Sequence, residues 1–317
     1  MLTSDTPVNT LGPDLKARYG HRLRRVMLDL GLTCPNRDGE SGYGGCIYCD
    51  LDGSGTGAMK QRRPLLEQWQ EQLKRIQRSD DTGGAIIYFQ SYSNTYPDLL
   101  PLARALETMA PYSETAPVVS VGTRPDCFSP EAAALLGSYR DRFSEVWVEF
   151  GLETADDRVQ KLIGRHDSLR SFHRACELAR EHGISIIAHT ICGLPGEAKN
   201  GLQRQVEEIS IAGCSGIKFH QLMVLRKTKL EHLWRQGKVD LLTTDEYVSL
   251  VADALEILPP NIVVHRLVAE NPAENYLAPS GWPSRAKVHH LIESEMRHRG
   301  SFQGCRRGYL VAGEQAT

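Results

Sequence analysis

Three cysteines that lie close together in the sequence are the residues best suited to metal chemistry. Cys34, Cys46 and Cys49 have the spacing C-x11-C-x2-C, in a segment that also holds several glycines. The two-residue interval lets Cys46 and Cys49 face one metal centre, and a glycine-bearing loop can bring Cys34 to the same centre. A structural zinc ion needs four protein ligands, whereas the segment contains no fourth cysteine or histidine.

A four-iron cluster would explain this odd number of ligands. Three thiolates hold three irons of such a cluster and leave the fourth iron open to a substrate or cofactor. Two alternatives stay open on the spacing alone: a structural zinc ion completed by a distant histidine, and ordinary buried cysteines.

The other five cysteines have no neighbouring partner of the CxxC type, so no second cluster is expected. Most of them are expected to be small buried hydrophobic residues. Cys127 and Cys192 fall at or just beyond predicted strand ends, where a thiol could donate a hydrogen atom or trap a radical.

Length and charge restrict the classes of function. The chain has 317 residues, a formal net charge of -2 and a pI near 6.6. This charge gives no general attraction to nucleic acid, so any RNA contact would need a local basic patch. No apolar run reaches the roughly 18 residues of a membrane span, and residues 1–10 lack the features of a signal peptide. We therefore expect a cytoplasmic protein, in a reducing compartment that suits thiolate ligands.

Strand-like apolar runs alternate with helical patterns along most of the chain. This alternation predicts repeated βαβ units and a parallel sheet. Helical spacing is clearest at Leu65, Trp69, Leu73 and Ile76, recurs over 247–258, and predicts a last helix near 284–298. The predicted strands are 25–30, 85–90, 118–123, 145–151, 184–192, 216–225 and 262–267.

The distribution of polar residues favours a curved, barrel-like sheet over a dinucleotide-binding one. No G-x-G-x-x-G motif follows the first predicted strand. Instead, unusual polar residues follow one strand after another, as in barrels whose sites lie at the carboxyl ends of the strands. They lie in the segments 90–95, 123–126, 149–154 and 189–197.

Seven segments, in order along most of the chain, resemble one known family. They resemble the radical S-adenosylmethionine (radical SAM) superfamily and, within it, the YhcC-like subfamily, relatives of the Elongator catalytic subunit and of oxygen-independent coproporphyrinogen oxidase. The segments are CPNRDGESGYGGCIYC (34–49), YFQSYSNTYP (88–97), VGTRPDCF (121–128), EFGLETADDRVQKLIGRHDS (149–168), HTICGLPGE (189–197), KFHQLMVLRKTKL (218–230) and VVHRL (263–267).

The resemblance implies a partial (β/α)6 TIM-like barrel with a [4Fe-4S] cluster on the three cysteines at its carboxyl mouth. It also implies that SAM binds the open iron and is reductively cleaved, giving a 5′-deoxyadenosyl radical that removes a hydrogen atom from a substrate. The cofactors carry this chemistry, while the protein orients them and excludes water. A reductant such as flavodoxin or ferredoxin is the implied electron source. The expected organisation is an N-terminal extension (1–22), the core barrel (23–258) and a C-terminal extension (259–317).

The resemblance further suggests which side chains meet the methionine part of SAM. Gln90 and Asn94 stand where many superfamily members have Gly-Gly-Glu, and their oxygens are acceptors for an ammonium group. Thr123, after the third strand, is assigned to SAM or to the substrate. Arg165 is expected to pair with the methionine carboxylate, because a guanidinium matches two carboxylate oxygens. An ordinary surface salt bridge is the alternative for Arg165.

The nucleoside part of SAM is assigned to the next two strands. Glu149 and Glu153 end the fourth predicted strand, and such carboxylates can accept ribose hydroxyl groups. His189 and Gly193 belong to the segment that resembles the adenine-packing part of the family.

The sequence leaves the substrate open. His220, His265 and Arg266 lie at or near later strand ends, where a substrate would enter. The Elongator relationship and the basic runs 21–25, 297–299 and 306–307 prompt the hypothesis of tRNA modification. A small-metabolite radical enzyme of anaerobic metabolism and a non-catalytic metal-binding protein are the alternatives. Too few residues follow the last strand for an acetyltransferase domain, so no acetyl-CoA reaction is expected.

Overall fold

Parallel strands form the centre of the molecule. The computed structural model describes residues 2–50, 53, 58, 63–77, 82–271 and 274–307. The strands in these residues are β1 (Arg22–Leu28), β2 (Thr82–Phe89), β3 (Val118–Thr123), β4 (Glu145–Glu153), β5 (Ser185–Cys192), β6 (Gly216–Gln221), β7 (Val224–Leu225), β8 (Val263–Arg266) and β9 (Tyr276–Ala278). Seven of them form one sheet in the order β1-β2-β3-β4-β5-β6-β8, in which every neighbouring pair is parallel. The short strands β7 and β9 pair separately and antiparallel.

Helices connect the strands, as parallel pairing requires. The α-helices in the described residues are α1 (Leu11–Tyr19), α2 (Pro35–Asp38), α3 (Leu65–Gln77), α4 (Leu100–Met109), α5 (Pro130–Gly137), α6 (Asp157–Leu162), α7 (Leu169–Glu181), α8 (Gly201–Ile211), α9 (Lys229–Arg235), α10 (Thr244–Ile257) and α11 (Arg285–His298). The start of α10 is fixed by a capping box, in which Thr243 and Glu246 each bond the other's backbone N–H. At the start of α11 the side chain of Ser284 accepts the backbone N–H of Lys287.

The sheet is strongly curved, so that side chains of distant strands meet inside it. Lys218 on β6 lies 3.4 Å from the hydroxyl of Tyr88 on β2. Four strand spacings of about 4.8 Å separate these strands in a flat sheet. The contact is therefore possible only because the sheet closes towards a barrel, with β1 and β8 as its edges.

Apolar side chains cover the outside of this half-barrel and fill its amino-terminal end. The outward faces of the strands, with residues such as Phe89 and Phe150, pack against the helices in one large core. The amino-terminal end of the barrel is closed by α1, whose Leu11 and Leu15 pack with a layer of inward-facing residues. This layer contains Leu23, Ile86, Val118, Trp147 and Ile187. The carboxyl end is therefore left for the site.

The structure confirms the predicted fold class. All seven predicted strand regions contain strands, and the predicted helices appear as α3, α10 and α11. The run 216–225 is divided into β6 and β7, because the chain leaves the main sheet after Gln221. The seventh strand of the sheet, β8, comes from residues that we assigned to the C-terminal extension. The exact division of the chain into extensions and core remains a prediction. Within the described part of the chain, no helix is both long and apolar enough to cross a bilayer.

Candidate functional site

The loop with the three cysteines starts directly after β1 and is shaped by its backbone. Cys34 precedes the short helix α2, and its carbonyl accepts the N–H of Arg37 at 2.8 Å. Gly45 has a φ of +82°, and a Cβ there would lie 3.2 Å from the Arg37 guanidinium. Only glycine therefore lets the chain turn so close to that side chain. The backbone N–H of Ile47 bonds the carbonyl of Ile163, which ties the loop to the segment after β4.

Two of the cysteine sulfurs have a side-chain N–H donor beside them. The Asn36 amide donates to Cys46 Sγ at 3.4 Å, and the Arg37 guanidinium donates to Cys49 Sγ at 3.2 Å. Donors of this kind stabilise a thiolate and are common around metal-bound sulfur. Sequence reasoning did not single out Asn36 or Arg37, although both lie inside the cysteine motif.

The thiols lie within electrostatic range of one another. Burial and the neighbouring Cys46 raise the pKa of Cys49 to about 12, although Arg37 opposes them. Burial also raises the pKa of Cys34, which Arg124 opposes and Cys46 reinforces. A metal that binds here must therefore displace protons, so its affinity should rise with pH. Among the described residues, no three His, Cys, Asp or Glu side chains are grouped as ready-made ligands of a single metal ion.

The predicted residues after β2 and β3 lie together at the carboxyl edge. Asn94 is buried and donates its amide to the carbonyls of Phe89 and Gly122, at 3.1 and 2.8 Å. Thr123 is buried, and its hydroxyl lies 2.7 Å from that of Thr95. Gln90 directly follows β2 and is half-buried at the same edge. These contacts join the loops after two neighbouring strands.

Arg165 is a buried residue of this edge, so the surface salt bridge that we considered is wrong. It is 5% exposed, donates to the carbonyl of Gly151, and lies 3.8 Å from Glu153 and 3.7 Å from Asp167. Its own carbonyl accepts the amide of Asn36 at 2.7 Å and a nitrogen of Arg124 at 3.0 Å. Arg165 therefore connects the cysteine loop to the ends of β3 and β4.

Glu153 occupies a strained position at the end of β4. Its φ is +64°, unusual for a residue other than glycine, and the β4–β5 register shifts there. Burial raises the pKa of Glu153, and the charge of Arg165 opposes this effect. Strain of this kind is often kept at functional sites.

The predicted residues Glu149 and His189 lie deeper, inside the barrel. Glu149 is 1% exposed; Ser120 donates to its Oε1 at 3.0 Å, and His189 Nε2 lies 2.8 Å from its Oε2. Lys218 donates to the same Oε2. Lys218 and His189 lower the pKa of Glu149 and outweigh the opposing effect of burial, while burial lowers the pKa of His189 to about 4. Ribose binding by Glu149 remains a prediction, and it would require one of these partners to move.

Gly193 lies in the turn after β5. Its φ is +87°, and a Cβ there would approach Leu242 within 3.0 Å. The glycine is therefore needed for the path of this turn, whatever the turn binds. Cys192 is buried at the end of β5. Cys127 is half-buried in the segment after β3, and its thiol donates to Asp126 Oδ1 at 3.6 Å.

Sequence reasoning missed a ring of polar residues in the barrel interior. Arg25, Tyr88, Ser120 and Lys218 face the same space as Glu149, and Arg25 Nη2 lies 3.1 Å from His265 Nδ1. The available signal was a charged or polar residue at every second position of an apolar strand, as at Lys218 in GIKFHQ.

Several buried atoms near the cysteine loop have no hydrogen-bond partner among the described residues. They include the acceptors Asn36 Oδ1 and Asn94 Oδ1 and the guanidinium nitrogens Arg124 Nη1 and Arg165 Nε. A buried polar atom without a partner costs about 1–3 kcal/mol, so such atoms usually mark a site for a ligand or water. Acceptors and guanidinium donors together complement an ammonium and a carboxylate on one ligand. The residues present thus fit a ligand that places an ammonium and a carboxylate beside the three thiols.

The sequence matches two family descriptions. One is "Radical SAM superfamily", over residues 34–209, and the other is "Radical_SAM C-terminal domain", over residues 214–298. The chain is 33% identical to YtqA of Bacillus subtilis, over 93% of this chain and 91% of that protein. It is 32% identical to YhcC of Escherichia coli K12, over 86% of each chain.

Two further similarities are more partial. A tRNA uridine(34) acetyltransferase of Dehalococcoides mccartyi is 30% identical over 62% of this chain and 43% of that protein. Among solved structures, an archaeal Elp3 of Methanocaldococcus infernus is similar with a TM-score of 0.69 at 17% identity. That match covers 89% of this chain and 64% of the other. Its low identity limits what it shows to the fold.

Proposed function

The chain belongs to the radical SAM superfamily, and we propose that it reductively cleaves SAM at a [4Fe-4S] cluster held by Cys34, Cys46 and Cys49. One observation carries this proposal: buried acceptors and guanidinium donors without partners lie beside a loop of three cysteines. A chain whose only task was to hold a structural metal ion would not need such atoms.

Each residue of the edge has a separate task in this proposal. Asn36 and Arg37 donate to cysteine sulfurs and fix their orientation. Asn94 Oδ1 accepts from the ammonium of SAM, and Arg165 or Arg124 donates to its carboxylate. When bound, the cluster and SAM supply a 5′-deoxyadenosyl radical that removes a hydrogen atom from the substrate. The half-barrel and α1 keep bulk water away from this space. A flavodoxin or ferredoxin is the proposed electron donor.

Product analysis tests the proposal. Anaerobically reconstituted protein with dithionite and SAM should form 5′-deoxyadenosine and methionine, whereas Cys46→Ala should form neither. Cys305→Ala is the matched control, because it removes a half-buried thiol outside the cysteine loop and should keep the activity. Intact SAM with the reconstituted wild-type protein would contradict the proposal.

A tRNA is the first candidate substrate, because a partial relative is a tRNA uridine(34) acetyltransferase. The basic runs do not all support it: Arg306 lies 2.6 Å from Glu256, and Arg299 binds three carboxylates of α10 and α11. Arg299 and Arg306 are therefore less available to bind phosphate. Retention of tRNA at 50 to 200 mM salt, with a steep salt dependence, would support RNA binding. Absence of binding at low salt would exclude it.

A small metabolite is the second candidate substrate. The favouring observation is the barrel interior, where Arg25, Lys218 and Arg266 outnumber the single carboxylate of Glu149. Such a space suits one small charged molecule better than a polymer.

A further inference from the structure

The interior of the half-barrel carries more positive than negative charge. Three cationic side chains act on one another there: Arg25, Lys218 and Arg266. Glu149 is the carboxylate in their midst, and it is already held by Lys218, His189 and Ser120. Even if Lys218 is uncharged, the guanidinium groups of Arg25 and Arg266 outnumber the carboxylate of Glu149.

The histidines of this space add no charge to this balance. Burial lowers the pKa of His189 to about 4 and that of His220 to about 3, so both rings are neutral near pH 7. Burial also holds the pKa of His265 well below its usual value. Glu153 also lies within electrostatic range of Arg266, but its ion pair is with Arg165 at the carboxyl edge, at 3.8 Å.

Arg266 is the residue that this imbalance leaves unpaired. It is half-buried at the end of β8, and its Nε is sealed from solvent without a hydrogen-bond partner. In the described part of the chain, its guanidinium has no ion pair and no hydrogen bond. Burial lowers its pKa, an effect that neighbouring Tyr88 and Glu149 only partly oppose. Arg25 also has a sealed Nε without a partner.

Arg299 shows how the same fold treats an arginine that has a purely structural role. Its guanidinium lies 2.6 Å from Asp253, 2.8 Å from Glu295 and 3.5 Å from Glu256. A buried guanidinium is normally paired in this way, because an unpaired one loses its hydration without compensation. Arg266 departs from that rule inside the barrel, where a bound anion could supply the partner that its guanidinium lacks.

The position of these groups indicates where the ligand would lie. Arg25 is on β1 and Arg266 is on β8, the two edges of the half-barrel, and Arg25 is joined to His265 of β8 at 3.1 Å. A group between these strands would reach both guanidiniums from the carboxyl mouth. A barrel interior of this size admits side chains or one small ligand, so a terminal group fits better than a phosphodiester inside a polymer.

We propose that Arg266, with Arg25, binds a terminal anionic group, a carboxylate or a phosphate monoester, of a small substrate inside the half-barrel. The assignment of this molecule as the substrate rests on the proposed radical SAM function with the second candidate, a small metabolite, as its substrate. Planar, two-point recognition of an oxyanion is the task for which arginine is best suited.

Ligand-observed NMR on the anaerobically reconstituted protein tests the proposal, with acetate and methyl phosphate as separate probes. At least one probe should show saturable binding, and the stronger of the two identifies the kind of anion. Arg266→Met should weaken that binding about tenfold or more, the loss expected for a charge-assisted hydrogen bond. Arg158→Met removes an exposed arginine that pairs only locally with Asp156, and it should leave binding unchanged. Absence of saturable binding of both probes, or equal binding by Arg266→Met, would overturn the proposal.

Thermal unfolding in anion-free buffer distinguishes a ligand-binding role from a structural one. Arg266→Met should raise the melting temperature, because it removes a charge that the folded protein leaves unpaired. Arg299→Met should lower it, because three carboxylates lose their partner. A lowered melting temperature for both variants would show that Arg266 is structural.

Two further results keep this proposal separate from the proposed function. If saturating SAM displaces the probe, the site belongs to the methionine carboxylate and the proposal is wrong. If a probe binds through Arg266 while the wild-type protein leaves SAM intact, the anion site stands and the radical SAM activity fails. If SAM is cleaved but neither probe binds, the anion site alone is overturned.

Discussion

The nitrogen donors next to the cysteine sulfurs set the electrostatics of the candidate centre. Arg37 brings a full positive charge within 3.2 Å of Cys49 Sγ, whereas Asn36 brings a neutral amide to Cys46. Positive charge and hydrogen bonds at sulfur favour the more negative, reduced state of a cluster.

Replacement of Arg37 should therefore change the redox behaviour of the bound cluster. We expect Arg37→Leu to lower the reduction potential, because the reduced state loses a charge-assisted hydrogen bond. A potentiometric titration followed by electron paramagnetic resonance measures the shift. Arg158→Leu is the control, and an unchanged potential in Arg37→Leu would show that the arginine only packs against the loop.

The buried pair of Glu149 and Lys218 should be sensitive to the loss of one partner. Glu149→Gln leaves Lys218 buried without its counter-ion and should lower the free energy of unfolding by roughly 3–5 kcal/mol. The double variant Glu149→Gln, Lys218→Met should recover part of that loss. Urea unfolding measures both, and a double variant no more stable than Glu149→Gln would contradict the pairing.

At this scale the sequence predicts motifs better than side-chain partners. The spacing of the cysteines and the polar residues after each strand indicated where the site lies, and Asn94, Thr123 and Arg165 do meet at one edge. Arg25 and Lys218 were missed because their importance depends on contacts between strands that are distant in the sequence.

Among the elements, α1 has the clearest structural task. It closes the amino-terminal end of the barrel with Leu15, which is 1% exposed and packs in the same cluster as Trp147 and Ile187. The sequence analysis treated this region only as an extension, because its contacts are made with strands far along the chain.

Truncation of Leu15 should open a cavity at this end. Leu15→Ala should cost roughly 2–5 kcal/mol in the free energy of unfolding. Leu162→Ala, at an exposed position of α6, should change it by less than about 0.5 kcal/mol. Equal effects in urea unfolding would show that α1 does not close the barrel.

Glu197, which lies after β5, joins the end of β4 to helix α8. Its titration should make the stability of the protein depend on pH. Thr154 and Gln205 each donate to its Oε1 at 2.8 Å, while burial raises its pKa to about 7. The folded protein therefore binds more protons than the unfolded chain between about pH 4.5 and 7, so this group's contribution to stability falls as pH rises through that range.

Glu197→Gln isolates the effect, because the amide keeps an acceptor for both donors but does not titrate. Between pH 5 and pH 8, the free energy of unfolding of the variant should rise by about 2 kcal/mol relative to that of the wild type. This value is smaller than the full pKa shift of Glu197 would give, because the side chain is partly exposed. Other buried groups, such as His189, affect the pH dependence of stability in the opposite direction, but they do so equally in both proteins and cancel when the two are compared. A pH-independent difference would mean that Glu197 is ionised throughout.

For the whole molecule, alternation of strands and helices was enough to predict a parallel sheet. The polar residues after successive strands favoured its curvature, and the family resemblance implied the partial barrel. The sequence could not show that β8 would join the main sheet, since that depends on pairing between β6 and a strand more than forty residues later. It also could not show that Arg299 and Arg306 of the basic runs bind Glu256. Charge runs report composition, whereas ion pairs depend on the packing of α10 against α11.

The central claim is that three cysteines leave one iron open for SAM. Electron nuclear double resonance on the reduced, reconstituted protein tests this directly, with SAM labelled by ¹⁵N in its amino group or ¹⁷O in its carboxylate. We expect both labels to show hyperfine coupling to the cluster, as direct ligation of the open iron requires. A reduced cluster whose spectrum is unchanged by SAM and shows neither coupling would contradict the account.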